Sequence, residues 1–316
     1  MSAPYKLFYA SDIHGSEKCF LKFINAGKFY KADAIVLGGD VTGKMVVPLI
    51  DKGSRWEARF LGRDFVAENA AERAEIEKNV RMNGFYPVVL NPDEHRHVQE
   101  NEAARTEMID RVVCEAIKRW IGLAEERLRG TGIRCFINAG NDDDGYIDDA
   151  LRQSDVVENH DGGVTDLTGD VQMAVCGYSN TTPFDSPREL PEPELEAHIE
   201  GIITKLKSPR DAVLTLHVPP FNTGIDAAPL LKGGKVVTEG GHTVMTAVGS
   251  TAVRNVIERH QPMVALHGHI HESRGTKQLG RTLCVNPGSE YSEGVLRGVI
   301  ITFKGTTLVG HQLVQA

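Results

Sequence analysis

The stretch "YKLFYASDIHG", Tyr5 to Gly15, decides how this chain reads. Tyr5 to Ala10 is an aromatic and aliphatic run with the character of a buried strand. It stops on Asp12 and His14, two side chains with lone pairs to give, and an amphipathic helix pattern follows from about Glu17 to Phe29. The same unit recurs along the chain. "DAIVLGGD" ends in Gly39 and Asp40, and "IRCFINAGN" ends in Gly140 and Asn141 with Asp142, Asp143 and Asp144 behind them. "DAVLTLHVPP" delivers His217, and "MVALHGHIHE" delivers His267, His269 and His271.

Around these lie further strand patterns. "VQMAVCGYS" is expected to pair with the Gly- and Asp-rich segment before it, "RTLCVNPGS" continues the series, and "GVLRGVIITFKGTTLVGHQL" predicts a closing hairpin. A helix is expected over Ser250 to His260 with Ser250 as its N-cap. Strands alternating with helices predict an α/β fold, and runs apolar on both faces predict sheet covered on both sides.

An isolated Asp or His at a strand end is ordinarily a cap or turn residue. Five strand ends that all deliver oxygen or imidazole donors are different, because ligands in α/β sheets gather beyond the carboxyl ends of strands. Imidazole, carboxylate and amide donors suit borderline divalent metals. The donors are too many for one tetrahedral zinc and sufficient for two metals that share a carboxylate. Such pairs clamp the attacking and leaving oxygens of a phosphoester and lower the pKa of bound water, giving hydroxide near neutral pH.

In the order D-x-H, G-D, G-N, H, G-H-x-H the chain resembles the calcineurin-like metallophosphoesterases, over about Lys6 to Phe303. "LHVPPFNTGID", "HGHIHESRG" and "VNPGS" look most like the small Icc-type bacterial and archaeal phosphoesterases. The resemblance implies one metallophosphoesterase domain over residues 1–316, built as a four-layer α/β/β/α sandwich. It implies hydrolysis by a dinuclear centre and metal-bound hydroxide. It assigns Asp12, His14 and His271 to one metal, Asn141, His217 and His269 to the other, and Asp40 as the bridge. The implied cofactors are two divalent ions among Mn, Fe, Ni, Co and Zn, with Mn or Fe favoured. His267 has no ligand role in the pattern and is expected in the core or in support of a ligand.

The third block departs from the family. It usually reads G-N-H followed by Asp or Glu, whereas this chain places Asp142 at the histidine and Asp143 after it. Relatives that keep the histidine use it to contact phosphate and to protonate the leaving group; some phosphodiesterases lack it. Two nearby dications would hold Asp142 charged, leaving it no proton to give. An anionic Asp142 also repels a dianionic monoester more than a monoanionic diester. The expected activity is therefore phosphodiester hydrolysis, with phosphomonoesterase, nuclease and a catalytically weak protein-binding scaffold as alternatives. His95, His97, His160 and His242 are candidates for the missing imidazole, His242 first, because "EGGHTV" lies between two ligand-bearing strands.

Residues 51–130 interrupt the pattern with charged, mostly helical sequence. Met108, Val112, Ala116, Trp120 and Leu123 form one helical stripe there, and "YPVVLNPDEHRHVQ" is predicted as a turn region. The segment is expected to be a helical hairpin packed on the body, with a cap over the active site or a dimer contact as alternatives. Its basic residues are interleaved with acidic ones, and the whole chain carries a net charge of −8, both unlike a nucleic-acid binder. The expected partner is a small-molecule phosphoester, with homo-oligomer contacts left open. The five cysteines include no C-x-x-C pair; Cys135, Cys176 and Cys284 fall in apolar runs, as core residues of a reducing compartment do. The N-terminal sequence shows no leader pattern and no apolar run approaches the ~20 residues that span a bilayer. A cytoplasmic, membrane-free protein is expected.

Overall fold

The computed structural model describes residues 3–316. Strand Tyr5–Ala10 lies inside a six-stranded sheet whose order is 307–315, 297–304, 5–10, 34–38, 134–138, 157–158. Alternation along the strand sorts its side chains between two layers. Leu7 and Tyr9 join a core shared with Met173, Val175, Val264 and Val285 of a second sheet. Phe8 and Ala10 join Phe20, Phe23 and Trp120 of the helices outside. The second six-stranded sheet has the order 275–279, 282–286, 264–266, 213–216, 172–176, 164–166. Its outer face, with Ala174, Leu214 and Ala265, packs on Leu195, Ile199, Val253 and Ile257 of helices Glu192–Ile203 and Thr251–His260. The layers are therefore helix, sheet, sheet, helix, as expected.

Within each sheet the inner strands run parallel, 5–10 beside 34–38 and 134–138, and 172–176 beside 213–216, 264–266 and 282–286. Parallel strands send their carboxyl ends to one rim, which collects the loops that follow them. The expected pairing of the strand Gln172–Cys176 with Val164–Asp166 is present and antiparallel, and Arg297–Lys304 with Thr307–Gln315 forms the expected hairpin. Ser250 Oγ accepts from Val253 N at the start of Thr251–His260, as its N-cap.

The insertion differs from the helical hairpin expected over 51–130. It contains a four-stranded sheet in the order 63–67, 56–60, 46–51, 86–90, and the segment expected as a turn holds strand Tyr86–Leu90 and helix Pro92–Glu100. Strands such as "WEARF" are five residues long and charged on the open face, too short for their alternation to stand out from charged helical sequence. Helix Glu102–Leu128 joins the two bodies. Val112, Val113 and Ala116 pack on Tyr86, Val88 and Leu90 of the inserted sheet, while Trp120 stacks on Phe20 of the main body at 4.4 Å. No helix among the described residues is long and apolar enough to cross a membrane. All five cysteines are free.

Candidate metal centre

The loops after the parallel strands meet where the two sheets share a rim. Asp12 and His14 follow strand 5–10, Asp40 follows 34–38, Asn141 follows 134–138, His217 follows 213–216, and His269 and His271 follow 264–266. One donor group is formed by Asp12, His14 and His271, and a second by Asp40, His217 and His269, each with its ligand atoms within 4.8 Å of one another. Asp40 Oδ2 ties the groups together, 3.6 Å from His14 Nε2 and 3.3 Å from His217 Nε2. Asn141 Oδ1 joins the second group through His269 Nδ1 at 2.7 Å. All seven residues named from the motifs thus converge on one place.

The backbone is bent to achieve this. Asp12, His14, Asp40 and His269 have φ of 58°, 39°, 48° and 65°, in the left-handed region that costs an L-residue free energy. The loops also interlock. His14 N donates to Asp40 O, Asp12 N to Gly39 O, and His269 N to Asp12 Oδ1 at 2.9 Å. Gly140 permits one close approach between these loops, since a methyl group there would overlap the Asp40 amide and carboxylate.

The electrostatics of the site follow from its burial. Asp12 and Asp40 are buried, with 1% and 3% exposure. Burial opposes their charge, but His271 and His217 hold the Asp12 carboxyl below the usual range, and His217 and His14 hold that of Asp40 well below it. Burial likewise opposes a charged His217, and Asp40 with Asp12 overcomes it, pushing the ring up to about 10. His271 is raised against burial by Asp12, while burial and the neighbouring His217 lower His269. Within the protein itself the balance for these carboxylates would have to come from protons on His217 and His271.

Cations fit the donors better than those protons do. Asp12 Oδ2 and His217 Nε2 are buried with no hydrogen-bond partner among the described residues. Such atoms are costly unless something binds them. His14 Nε2 and His271 Nε2 face each other at 3.2 Å, an arrangement that requires a proton or a cation between two lone pairs. His217 Nδ1 lies 3.1 Å from Gly38 O, which only accepts, so Nδ1 carries a hydrogen and Nε2 is the nitrogen that would face a cation. The residues present suit two divalent ions.

Comparison with known proteins agrees with the architecture. No family model matches the chain. Over 119 residues it is 34% identical to an uncharacterized protein of Methanocaldococcus jannaschii, covering 37% of this chain and 48% of that relative, about half its length. The structure superposes on the crystal structure of TT1561 of Thermus thermophilus with a TM-score of 0.51 at 16% identity, covering 96% of this chain and 99% of that one. A further solved structure aligns with a TM-score of 0.57 at 17% identity, covering 99% of each chain. The chain shares the fold of these two structures, the four-layer α/β/β/α sandwich that the motif resemblance implied.

On this fold the third block separates its two aspartates. Asp142 stands at the mouth, with Oδ2 3.9 Å from His14 Nδ1, Oδ1 paired with the ammonium of Lys44, and its amide donating to Asp40 Oδ1. Asp143, expected among the catalytic residues, is fully buried and turned away. It accepts from Val41 N, Thr42 N, Thr42 Oγ1 and Gly140 N, so it ties the Asp40 loop to the Asn141 loop and positions them. His242, the first candidate for the missing imidazole, is exposed on the short ladder of Thr238–Glu239 with His242–Thr243, outside the cavity beside the metal centre. His95 and His97 lie on helix Pro92–Glu100 of the insertion, and His160 Nε2 is turned to Glu158 at 3.1 Å. None of these four histidines is brought to the centre. His267 is buried, with Nδ1 2.8 Å from Leu216 O, and burial lowers it to about 4, the state of a neutral core histidine.

Several residues at the site lie outside the ligand motifs. Lys44 pairs with Asp142, and its only sequence signal is a lysine four residues after Asp40. The Tyr291 ring packs 4.8 Å from His14 and 5.8 Å from His271. Ser289, within "VNPGS", donates through Oγ to Asp12 O at 2.6 Å and through N to His271 O, bracing two ligand loops. Tyr86 of the insertion accepts from Gly43 N at 3.0 Å, which holds the loop carrying Lys44.

Proposed function

We propose that this protein is a metal-dependent phosphoesterase that favours phosphodiesters over monoesters. The observation that carries the reading is the pair of donor groups joined by Asp40, with Asp12 Oδ2 and His217 Nε2 buried and without a hydrogen-bond partner among the described residues. Asp12, His14 and His271 would hold one divalent ion, Asn141, His217 and His269 the other, and Asp40 both. When bound, such ions lower the pKa of water and offset the charge that develops on phosphoryl oxygens.

The chain's own residues fix the geometry in which that chemistry occurs. Gly38 O sets the hydrogen of His217 on Nδ1, Ser289 braces the Asp12 loop, and Asp143 locks the Asp40 and Asn141 loops together. The preference for diesters rests on Asp142. The residue at the mouth is a carboxylate, tied to Lys44 on one oxygen and facing His14 with the other. A monoanionic diester meets less repulsion there than a dianionic monoester. A diester with a good leaving group also has less need of an imidazolium to protonate it.

The test compares bis(p-nitrophenyl) phosphate with p-nitrophenyl phosphate on manganese-loaded protein, for wild type and Asp142→His. Faster cleavage of the diester by wild type, with a shift toward the monoester in the variant, is the expected result. A wild-type preference for the monoester would overturn the reading.

A further inference from the structure

A cavity of about 750 Å³ opens directly from the metal centre, with His269, Ile270, His271 and Glu272 as its floor. Its size suits a drug-sized organic group. One wall is the loop with Thr182, Pro183 and Phe184; the other is the arm over 227–247, which presents Leu230, Leu231 and Val236. Both walls are built rather than loosely draped. Glu189 accepts from Thr182 N, Thr182 Oγ1 and Ser186 N and so fixes the loop. At the base of the arm, Asp226 accepts from Asn222 N, Thr223 N, Gly224 N and Gly249 N, and Ser273 Oγ both accepts from Ala227 N and donates to Ala227 O. The arm then branches into three short ladders around a ring of backbone bonds, Leu230 N to Val244 O, Val244 N to Val237 O, and Val237 N to Leu230 O.

The lining differs in chemistry from the centre it adjoins. It includes no arginine or lysine, and its one carboxylate is Glu272. The arm's lysines, Lys232 and Lys235, pair with each other one step farther out than Leu231 and Val236 and are not part of the lining. Phe184, Leu231 and Val236 are nonetheless 75%, 38% and 51% exposed, large apolar groups that face the groove unpaired. The floor carries one histidine from each donor group, so a phosphorus held across both groups would have this groove beside it, open to one of its ester substituents.

We infer that the substituent accepted there is uncharged and apolar or aromatic, so that the substrate class is a phosphodiester of a bulky apolar alcohol or phenol. A second phosphate or a carboxylate on that arm of the substrate would find no cation and would face Glu272. The inference rests on the phosphoesterase reading above and deepens it.

Its test uses p-nitrophenyl diesters that share the leaving group and differ only in the retained substituent, methyl, phenyl or 4-carboxyphenyl, with manganese-loaded protein. Rates are taken relative to alkaline hydrolysis. The phenyl ester is expected to exceed the methyl ester in kcat/KM about tenfold or more, and the carboxyphenyl ester to fall back by a similar factor. Leu231→Ala and Val236→Thr, each on an exposed arm position, should bring the phenyl-to-methyl ratio toward one. Leu231→Lys should recover the carboxyphenyl ester.

Calorimetry with the non-hydrolysable anions diphenylphosphinate and dimethylphosphinate gives a readout without turnover. Tighter binding of the diphenyl anion, with a negative heat-capacity change that shrinks in Leu231→Ala, supports the groove. Turnover with no preference among the esters, or equal binding of the two phosphinates, overturns the groove and leaves the phosphoesterase reading standing. Preferential diphenylphosphinate binding with no hydrolysis of any ester overturns the phosphoesterase reading and keeps the apolar site. A dimer in sedimentation that Leu231→Lys dissociates would assign these side chains to a second copy and overturn the inference.

Discussion

The loops that hold Asp12, His14, Asp40 and His269 and the arm over 227–247 border the same cleft, yet they are constructed differently. The loops are largely buried, and their backbone is forced into the left-handed region at four donor residues. The arm consists of ladders two or three residues long, with most of its side chains exposed. Each loop residue is fixed by several partners at once, so a change there propagates to the others. An arm residue touches few neighbours, so a change there alters what the groove accepts and little else. The chemistry of the site and its choice of substrate thus sit on separately mutable parts of the chain.

The sharpest way to break the comparison is Asp143→Ala. Val41 N, Thr42 N and Gly140 N would lose their acceptor in a buried setting, each at ~1–3 kcal/mol. A loss of about 3–5 kcal/mol is expected by denaturant or thermal unfolding, given three such donors; a loss under about 1 kcal/mol would show that the loops do not depend on it.

Asp40→Asn comes next. Loss of a supporting partner of a metal ligand typically costs ~10–100-fold, so removing the shared ligand should lower kcat/KM by more than about a hundredfold, with a matching fall in bound metal by elemental analysis. Retention of both metal and activity would contradict the role given to Asp40.

Metal binding offers a third measurement. Manganese at about a hundred times its Kd should stabilise the wild type by ~2.7 kcal/mol, reversed by a chelator, and this increment should be missing in Asp40→Asn. An unchanged melting temperature with and without manganese in the wild type would count against a metal centre. The smallest effect is expected on the arm, where Leu231→Ala or Val236→Thr should change stability by no more than about 0.5 kcal/mol while shifting substrate preference. A large destabilisation there would erase the distinction between the two regions.

The legibility of the sequence follows the same division. Asp12, His14, Asp40, Asn141, His217, His269 and His271 were visible because each follows a short apolar run, and parallel strands bring such ends to one rim. Asp143 was visible as an acidic residue but not its orientation, which depends on donors about a hundred residues earlier in the chain, Val41 and Thr42. His242 lay between ligand-bearing strands in sequence, yet the arm carries it to an exposed ladder. The inserted strands were missed because five-residue alternation on a half-exposed sheet resembles charged helix.

The sequence by itself determined which strand ends carry the donors, the alternation of strands and helices in the main body, and the absence of an imidazole at position 142. These follow from residue type and from the two-residue and 3.6-residue periods, which are local properties. Tertiary structure alone decided that Lys44 meets Asp142, that Asp143 faces inward, and that Phe184 and Leu231 wall an apolar groove beside His269 and His271. Those pairs are joined by packing between segments far apart in the chain, and no periodicity in the sequence encodes which distant loop closes on which.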